Sequence, residues 1–153
     1  HFLCQYCAMK TETYIRMIPS AETFDKIVKA AAPVDAFDFI ADPHATIIYS
    51  PDIVDIKTME LPKVRFPIVG TSPKFQVFAT KDDGLCLVLA FDCDTAEILH
   101  KEISARYNLR TLYYENYVPH MTIKKRLSED VQMPALRFDL LFDAVIFGNG
   151  RGH

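Results

Sequence analysis

The sequence predicts an α+β fold, and three observations carry that expectation. Several stretches alternate apolar and polar residues with the period of two that a strand imposes. Two stretches instead show helical periodicity behind a capping residue. The order runs strand, helix, strand, a group of strands around an Asp-Gly hairpin signal, helix, strand, strand, which sets helices among mainly antiparallel strands. The 153 residues suit one domain, or one domain built from two similar lobes.

Residues 12–18, ETYIRMI, are the first expected strand, with Glu12, Tyr14 and Arg16 on one face and Thr13, Ile15 and Met17 on the other. Pro19-Ser20 stops it. Ser20 with Thr23 opens an amphipathic helix through about residue 32, carrying Phe24, Ile27 and Val28 on its apolar side, and Pro33 ends it. The segment VDAFDFIADP reads as a loop with apolar anchors. The second strand covers residues 44–50, with His44, Thr46 and Ile48 on one face and Ala45, Ile47 and Tyr49 on the other. Residues 51–63 are irregular, broken by Pro51 and Pro62. Strands at about 64–69 and 74–80, the turn Lys81-Asp82-Asp83-Gly84 and the apolar strand 85–92 follow. Asp94 is expected to cap a second helix over about 95–107, with Ile98, Leu99, Ile103 and Tyr107 inward.

Beyond a loop at 108–116, a strand over 117–125 puts Val118, His120, Thr122 and Lys124 on one face and Tyr117, Met121 and Ile123 on the other. Residues 126–135 are polar. The last strand, about 136–147, ends at Gly148-Asn149-Gly150, with Asp139 and Asp143 on its solvent face. Each half has a helix followed by a His-x-Thr strand, but the letters between do not establish an internal repeat.

Composition narrows the function classes. Half the residues are hydrophobic and 24% are charged, as in ordinary globular chains. No apolar run is long enough to span a bilayer, so no membrane partner is expected. A formal charge of -3 leaves no broad basic face for long nucleic acid, although a local pocket for a small anion fits. The start lacks the pattern of a signal peptide, and a chain opening on His need not be the whole gene product. Cys4, Cys7, Cys86 and Cys93 lack the spacing of a zinc ribbon, and Cys4-Gln5-Tyr6-Cys7 precedes the first strand; free thiols are expected.

The chemistry concentrates in two tripeptides. His44-Ala45-Thr46 and His120-Met121-Thr122 are both preceded by proline, Pro43 and Pro119, and both head an alternating run. Period two puts the His and Thr of each motif on one face. Side by side, two such strands offer two imidazoles and two hydroxyls. Cleaving a phosphodiester needs a proton acceptor, a proton donor and donors for the phosphoryl oxygens. Histidine titrates near neutrality and serves both proton roles, and threonine is a short donor. No carboxylate cluster suits a metal, so no cofactor is expected. His100 reads as a surface residue of the second helix, and His1 and His153 are terminal; none receives a role.

These motifs, PHATIIYS and PHMTIKK, with the hairpin KFQVFATKDDGLCLVLAFD between them and a helix before each, resemble the 2H phosphoesterase superfamily, which includes the 2'-5' RNA ligase-like proteins. The resemblance implies a bilobal fold in which two antiparallel sheets face a central groove with helices packed outside. It implies that His44 and His120 are the catalytic pair and that Thr46 and Thr122 hold the phosphate. The short length and the opening MKTETYIRMIPSAETFDKIVKAA look most similar to the phage anti-CBASS phosphodiesterases, which degrade cyclic di- and trinucleotide alarm signals inside the infected bacterium. A cyclic oligonucleotide is the partner so implied. That group carries a glutamate and a tryptophan near the C-terminus; this chain has no Trp and has Gly148-Asn149-Gly150-Arg151 in that region, so either it stops early or the base contacts differ.

Strand parity nominates the rest of the groove. Lys124 shares a face with His120 and Thr122 and is a candidate phosphate contact, or else a solvated strand-end lysine. Tyr14 and Arg16 share a face of the first strand, where Tyr14 either stacks on a base or packs in the core with its hydroxyl at the edge. Tyr113 and Tyr114, in the loop before the second motif, are further stacking candidates. Two other functions compete with cyclic-nucleotide cleavage: an RNA-end 2',3'-cyclic phosphodiesterase or 2'-5' ligase-like enzyme, and a non-catalytic nucleotide-binding module. Oligomeric state and base preference are not written in the sequence.

Overall fold

The computed structural model describes residues 12–111, 117–128 and 133–149. Its strands are β1 (Thr13–Pro19), β2 (Ala36–Phe39), β3 (Ala45–Ser50), β4 (Ile68–Thr80), β5 (Gly84–Asp92), β6 (His120–Leu127) and β7 (Leu140–Asn149). Helix α1 spans Ala21–Ala31 and helix α2 spans Asp94–Arg106.

The α+β expectation holds, and the sheet arrangement is a correction. The strands join one seven-stranded antiparallel sheet in the order β2-β6-β3-β1-β7-β4-β5, with β5 also paired to β6. Two separate facing sheets are not formed, because Ala45↔Met121 bonds β3 to β6 and Ile68↔Phe142 through Gly70↔Leu140 bond β4 to β7. Within the single sheet two halves repeat one order. In β7-β1-β3, α1 lies between β1 and β3 in the chain; in β4-β5-β6, α2 lies between β5 and β6. The residue after each motif histidine meets its counterpart at the join, Ala45 against Met121.

Alternation in β1 puts Thr13, Ile15 and Met17 inward, as the sequence requires. Ile15 and Met17 pack with Ile47, Leu87, Leu89, Met121 and Ile123, and the helices add Ile27, Leu99 and Ile103. Each such side chain contributes on the order of 1.5–3 kcal/mol by leaving water. Ser20 caps α1, its hydroxyl accepting from the Thr23 N–H at 3.1 Å. At the β4–β5 hairpin Gly84 sits at φ +65°, where a side chain is disfavoured.

Several local expectations change. The segment expected as a loop contains the short strand β2, which pairs with the far end of β6. The strands expected at 64–69 and 74–80 are one strand, β4, starting after Pro67 and shifting register between Thr71 and Lys74. Cys93, not Asp94, holds the N-cap position of α2, without a side-chain bond. The buried stripe of α2 is Ala96, Leu99 and Ile103, and Ile98 is 53% exposed. Cys86 and Cys93 are free and buried, and burial pushes the Cys93 thiol pKa up; Cys4 and Cys7 lie outside the described residues.

Candidate active site

Each motif begins where an X-Pro step hands over to a strand. Proline has no N–H to give a ladder, so regular pairing starts beyond Pro43 and Pro119. In both motifs the histidine ring folds back on the residue before that proline. His44 Nδ1 lies 3.1 Å from the Asp42 carbonyl oxygen, and His120 Nδ1 lies 2.8 Å from that of Val118. A carbonyl oxygen only accepts, so Nδ1 carries the proton in both rings and the basic lone pair of the neutral ring is on Nε2.

Both strands then carry a β-bulge at the same place. The pairing of β1 with β3 passes from Arg16↔Thr46 to Ile15↔Ile48, leaving Ile47 as the extra residue. The pairing of β5 with β6 passes from Val88↔Thr122 to Leu87↔Lys124, leaving Ile123 extra. The bulge thus follows the threonine of each motif directly, and it reverses side-chain parity beyond that point. His and Thr stay on one face, as expected. Ile48, expected beside His44 and Thr46, turns into the core, and Tyr49, expected on the opposite face, stands against Tyr14 instead.

The same reversal moves the lysine. Lys125, opposite Cys86, faces the side of His120 and Thr122. Lys124, expected there, turns away and donates to the carbonyls of Ala31 and Val34 at the end of α1, both at 2.7 Å. Burial pushes its pKa down, opposed by the Asp35 carboxylate. Lys124 therefore holds the helix end and lines no part of the cavity described next.

His44, Thr46, His120 and Thr122 line one cavity of about 290 Å³, together with Tyr14, Asp42 and Lys125. Carried one residue either side of Ala45↔Met121, the antiparallel register sets each histidine against the other motif's threonine. Tyr14 reaches in from β1. Its hydroxyl lies 2.6 Å from His44 Nε2 and 3.1 Å from Thr46 Oγ1. With Nδ1 protonated, the tyrosine donates to His44 Nε2 and accepts from the threonine. The Lys125 ammonium sits 3.2 Å from the Asp83 carboxylate on the β4–β5 hairpin. Arg16 stands beside the cavity, its guanidinium 5.8 Å from the Tyr14 ring centre. Tyr113 and Tyr114 lie outside the described residues. Among the described residues, no three His, Cys, Asp or Glu side chains are grouped to hold a metal ion.

Sequence reasoning missed a pair behind the first motif. His100, on α2, is half-buried and stacks on Tyr117, with ring centres 4.3 Å apart and planes within 6°. Its Nδ1 donates to the Ile47 carbonyl at 2.7 Å, and the Tyr117 hydroxyl donates to the Thr46 carbonyl at 2.7 Å. The two rings thus satisfy the carbonyls at the bulge. The signal was present: His100 continues the stripe of Ala96, Leu99 and Ile103 at helical spacing.

Comparison with known proteins agrees with this architecture. A crystal structure of a phosphoesterase matches with a TM-score of 0.58 at 14% sequence identity, covering 90% of this chain and 87% of that one, so the fold is phosphoesterase-like. No curated protein matches. The family model described as Anti-CBASS protein Acb1 matches residues 11–143, a span that contains both His-x-Thr motifs, and the chain belongs to that family.

Proposed function

We propose that the chain is a phosphodiesterase that cleaves the 3'-5' bonds of cyclic di- and trinucleotide signals by histidine–histidine acid–base catalysis, and so disarms anti-phage defence. One observation carries the reading: both His-x-Thr pairs line a single cavity, and both imidazoles are held by Nδ1 with Nε2 as the exchangeable site. The scissile phosphate lies between the two histidines. His44 Nε2 takes the proton of the ribose 2'-hydroxyl, and that oxygen bonds to phosphorus. The bond from phosphorus to the 5'-oxygen breaks as protonated His120 gives its Nε2 proton to the leaving oxygen. Products are a 2',3'-cyclic phosphate and a 5'-hydroxyl, and water then opens the cyclic phosphate with the roles exchanged. Thr46 and Thr122 donate to the non-bridging oxygens, and Lys125 offsets their charge. The Tyr14 hydroxyl at His44 Nε2 supports His44 as the base, since it occupies the position a substrate hydroxyl would take.

The test is incubation with EDTA and 3',3'-cGAMP, cyclic tri-AMP or a short RNA ending in a 2',3'-cyclic phosphate, beside a His44→Ala, His120→Ala double variant. Loss of the cyclic oligonucleotides with the wild type alone is expected. Cleavage of only the RNA end, or turnover of none of the three, overturns the proposal.

A further inference from the structure

A second cavity, of about 380 Å³, adjoins the first and shares His44 and Asp42 with it. It is lined further by Arg16, Asp143, Phe24 and Pro43. We propose that this cavity is a purine subsite that prefers guanine to adenine, with Asp143 and Arg16 reading the edge of the base. The inference rests on the proposed cyclic-oligonucleotide reading and extends it to base preference.

Contiguity comes first. A phosphate held between His44 and His120 places its own nucleoside within reach of any cavity that His44 also borders. Charge comes second. Asp42 and Asp143 face a single cation, Arg16, so the second cavity is a poor host for another phosphate. It suits instead a neutral ring with a polar edge, and Phe24 and Pro43 offer that ring apolar wall.

Geometry comes third. The pairing of β1 with β7 passes from Ile18↔Ala144 to Pro19↔Phe142, so Asp143 is the extra residue of a bulge, a device that re-aims a side chain. Among the described residues neither Asp143 nor Arg16 is held in an ion pair, and Arg16 is steadied over the Tyr14 ring. A carboxylate accepts from guanine N1–H and N2–H together, whereas adenine presents it the lone pair of N1. A guanidinium donates to guanine O6 and N7. Both side chains thus favour guanine, the carboxylate on its Watson–Crick edge and the guanidinium on its Hoogsteen edge.

The test uses the whole chain and two readouts. Calorimetry with guanosine and adenosine 5'-monophosphate is expected to show guanosine bound about tenfold more tightly, the scale of one bidentate base contact. Asp143→Asn is expected to erase most of that difference without moving the thermal midpoint. In turnover, the same variant raises KM for 3',3'-cGAMP and leaves cyclic di-AMP unchanged. Equal loss for both purines, no loss for either, or tighter adenosine binding overturns the subsite. Cleavage of cyclic oligonucleotides that ignores Asp143 sinks the subsite and keeps the proposed function. Asp143-dependent guanosine binding with no cleavage does the reverse.

Discussion

The two His-x-Thr motifs share their turn, ring hydrogen bond and bulge, yet they are held in different ways. The second is held by backbone. β6 pairs with β5 from Ala90↔His120 to Cys86↔Lys125 on one edge, and with β2 from Phe39↔Lys124 to Ala36↔Leu127 on the other. The first has a ladder to β1, from Met17↔Ala45 to Thr13↔Ser50, and adds side-chain ties to it. Its other edge meets β6 at Ala45↔Met121. Tyr14 ties the front of this motif, and Tyr117 and His100 tie its back. The positions of Tyr14 and Arg16 on β1, opposite Tyr49 and Thr46, correspond on β5 to Cys86 and Val88, opposite Lys125 and Thr122. A backbone ladder survives most substitutions, and a side-chain clamp does not. The first motif is therefore where single mutations retune the site, and the second is the fixed reference against which it is set.

The largest expected effect tests whether this difference extends to chemistry. His44→Ala and His120→Ala should each lower kcat/KM by roughly 10²–10⁴-fold, the usual contribution of a general acid or base. A substrate whose leaving 5'-oxygen is replaced by sulfur departs as a thiolate and needs no proton donor. Assayed on it, His120→Ala should recover most of its loss and His44→Ala should not. Recovery of His44→Ala instead would reverse the assignment, and recovery of neither would remove both from leaving-group protonation.

Tyr14→Phe keeps the ring and removes the hydroxyl that orients Thr46 once the ribose hydroxyl has taken its place at His44 Nε2. A fall of about tenfold in kcat, with little change in KM, corresponds to the roughly 1–1.5 kcal/mol of one hydrogen bond. Cys86→Ala, the matching position of the other half, should leave kcat within about twofold, since it offers the second motif no comparable bond. Equal effects from the two substitutions would erase the proposed asymmetry.

The adjacent lysines separate catalysis from stability. Lys125→Ala should reduce turnover and leave the unfolding midpoint in place. Lys124→Met should cost on the order of 1.5–3 kcal/mol in denaturant unfolding, the range for hydrogen bonds to a charged group, while sparing kcat. The opposite pattern would place the wrong lysine at the phosphate.

Those two lysines also mark where the sequence stopped being legible. The His-x-Thr quartet was readable because period two holds from His to Thr, and the fold class was readable from caps, turns and alternation. Beyond the threonine, parity depended on a bulge, which depends on the partner strand's register and leaves no mark in the letters. Ile48 and Lys124 were misplaced for that one reason. β2 was hidden because Phe37 and Phe39 face outward, 83% and 42% exposed, so its alternation ran opposite to a core strand's. The joining of two expected sheets into one rests on pairings between residues far apart in the chain, Ala45 with Met121 and Val69 with Leu141, which no local pattern encodes.

The smallest effect concerns the exit of the first motif strand, again fixed by side chains. Beyond β3, the Arg110 Nε and Nη2 atoms donate to Asp52 Oδ1 at 3.0 and 2.7 Å, and the Arg110 backbone N–H donates to Oδ2 at 2.7 Å. This bonding holds the Asp52 pKa below the ordinary aspartate range, chiefly through the guanidinium. A carboxyl depressed in the folded state stabilises it above the unfolded value of about 3.9, and that contribution is lost as pH falls through the folded value. Wild type should therefore be slightly more stable than Asp52→Asn at neutral pH, with the gap closing below about pH 4. Because the pair is exposed, salt should shrink the gap as well. A gap that persists in acid would mean that Asp52 acts through packing and not charge.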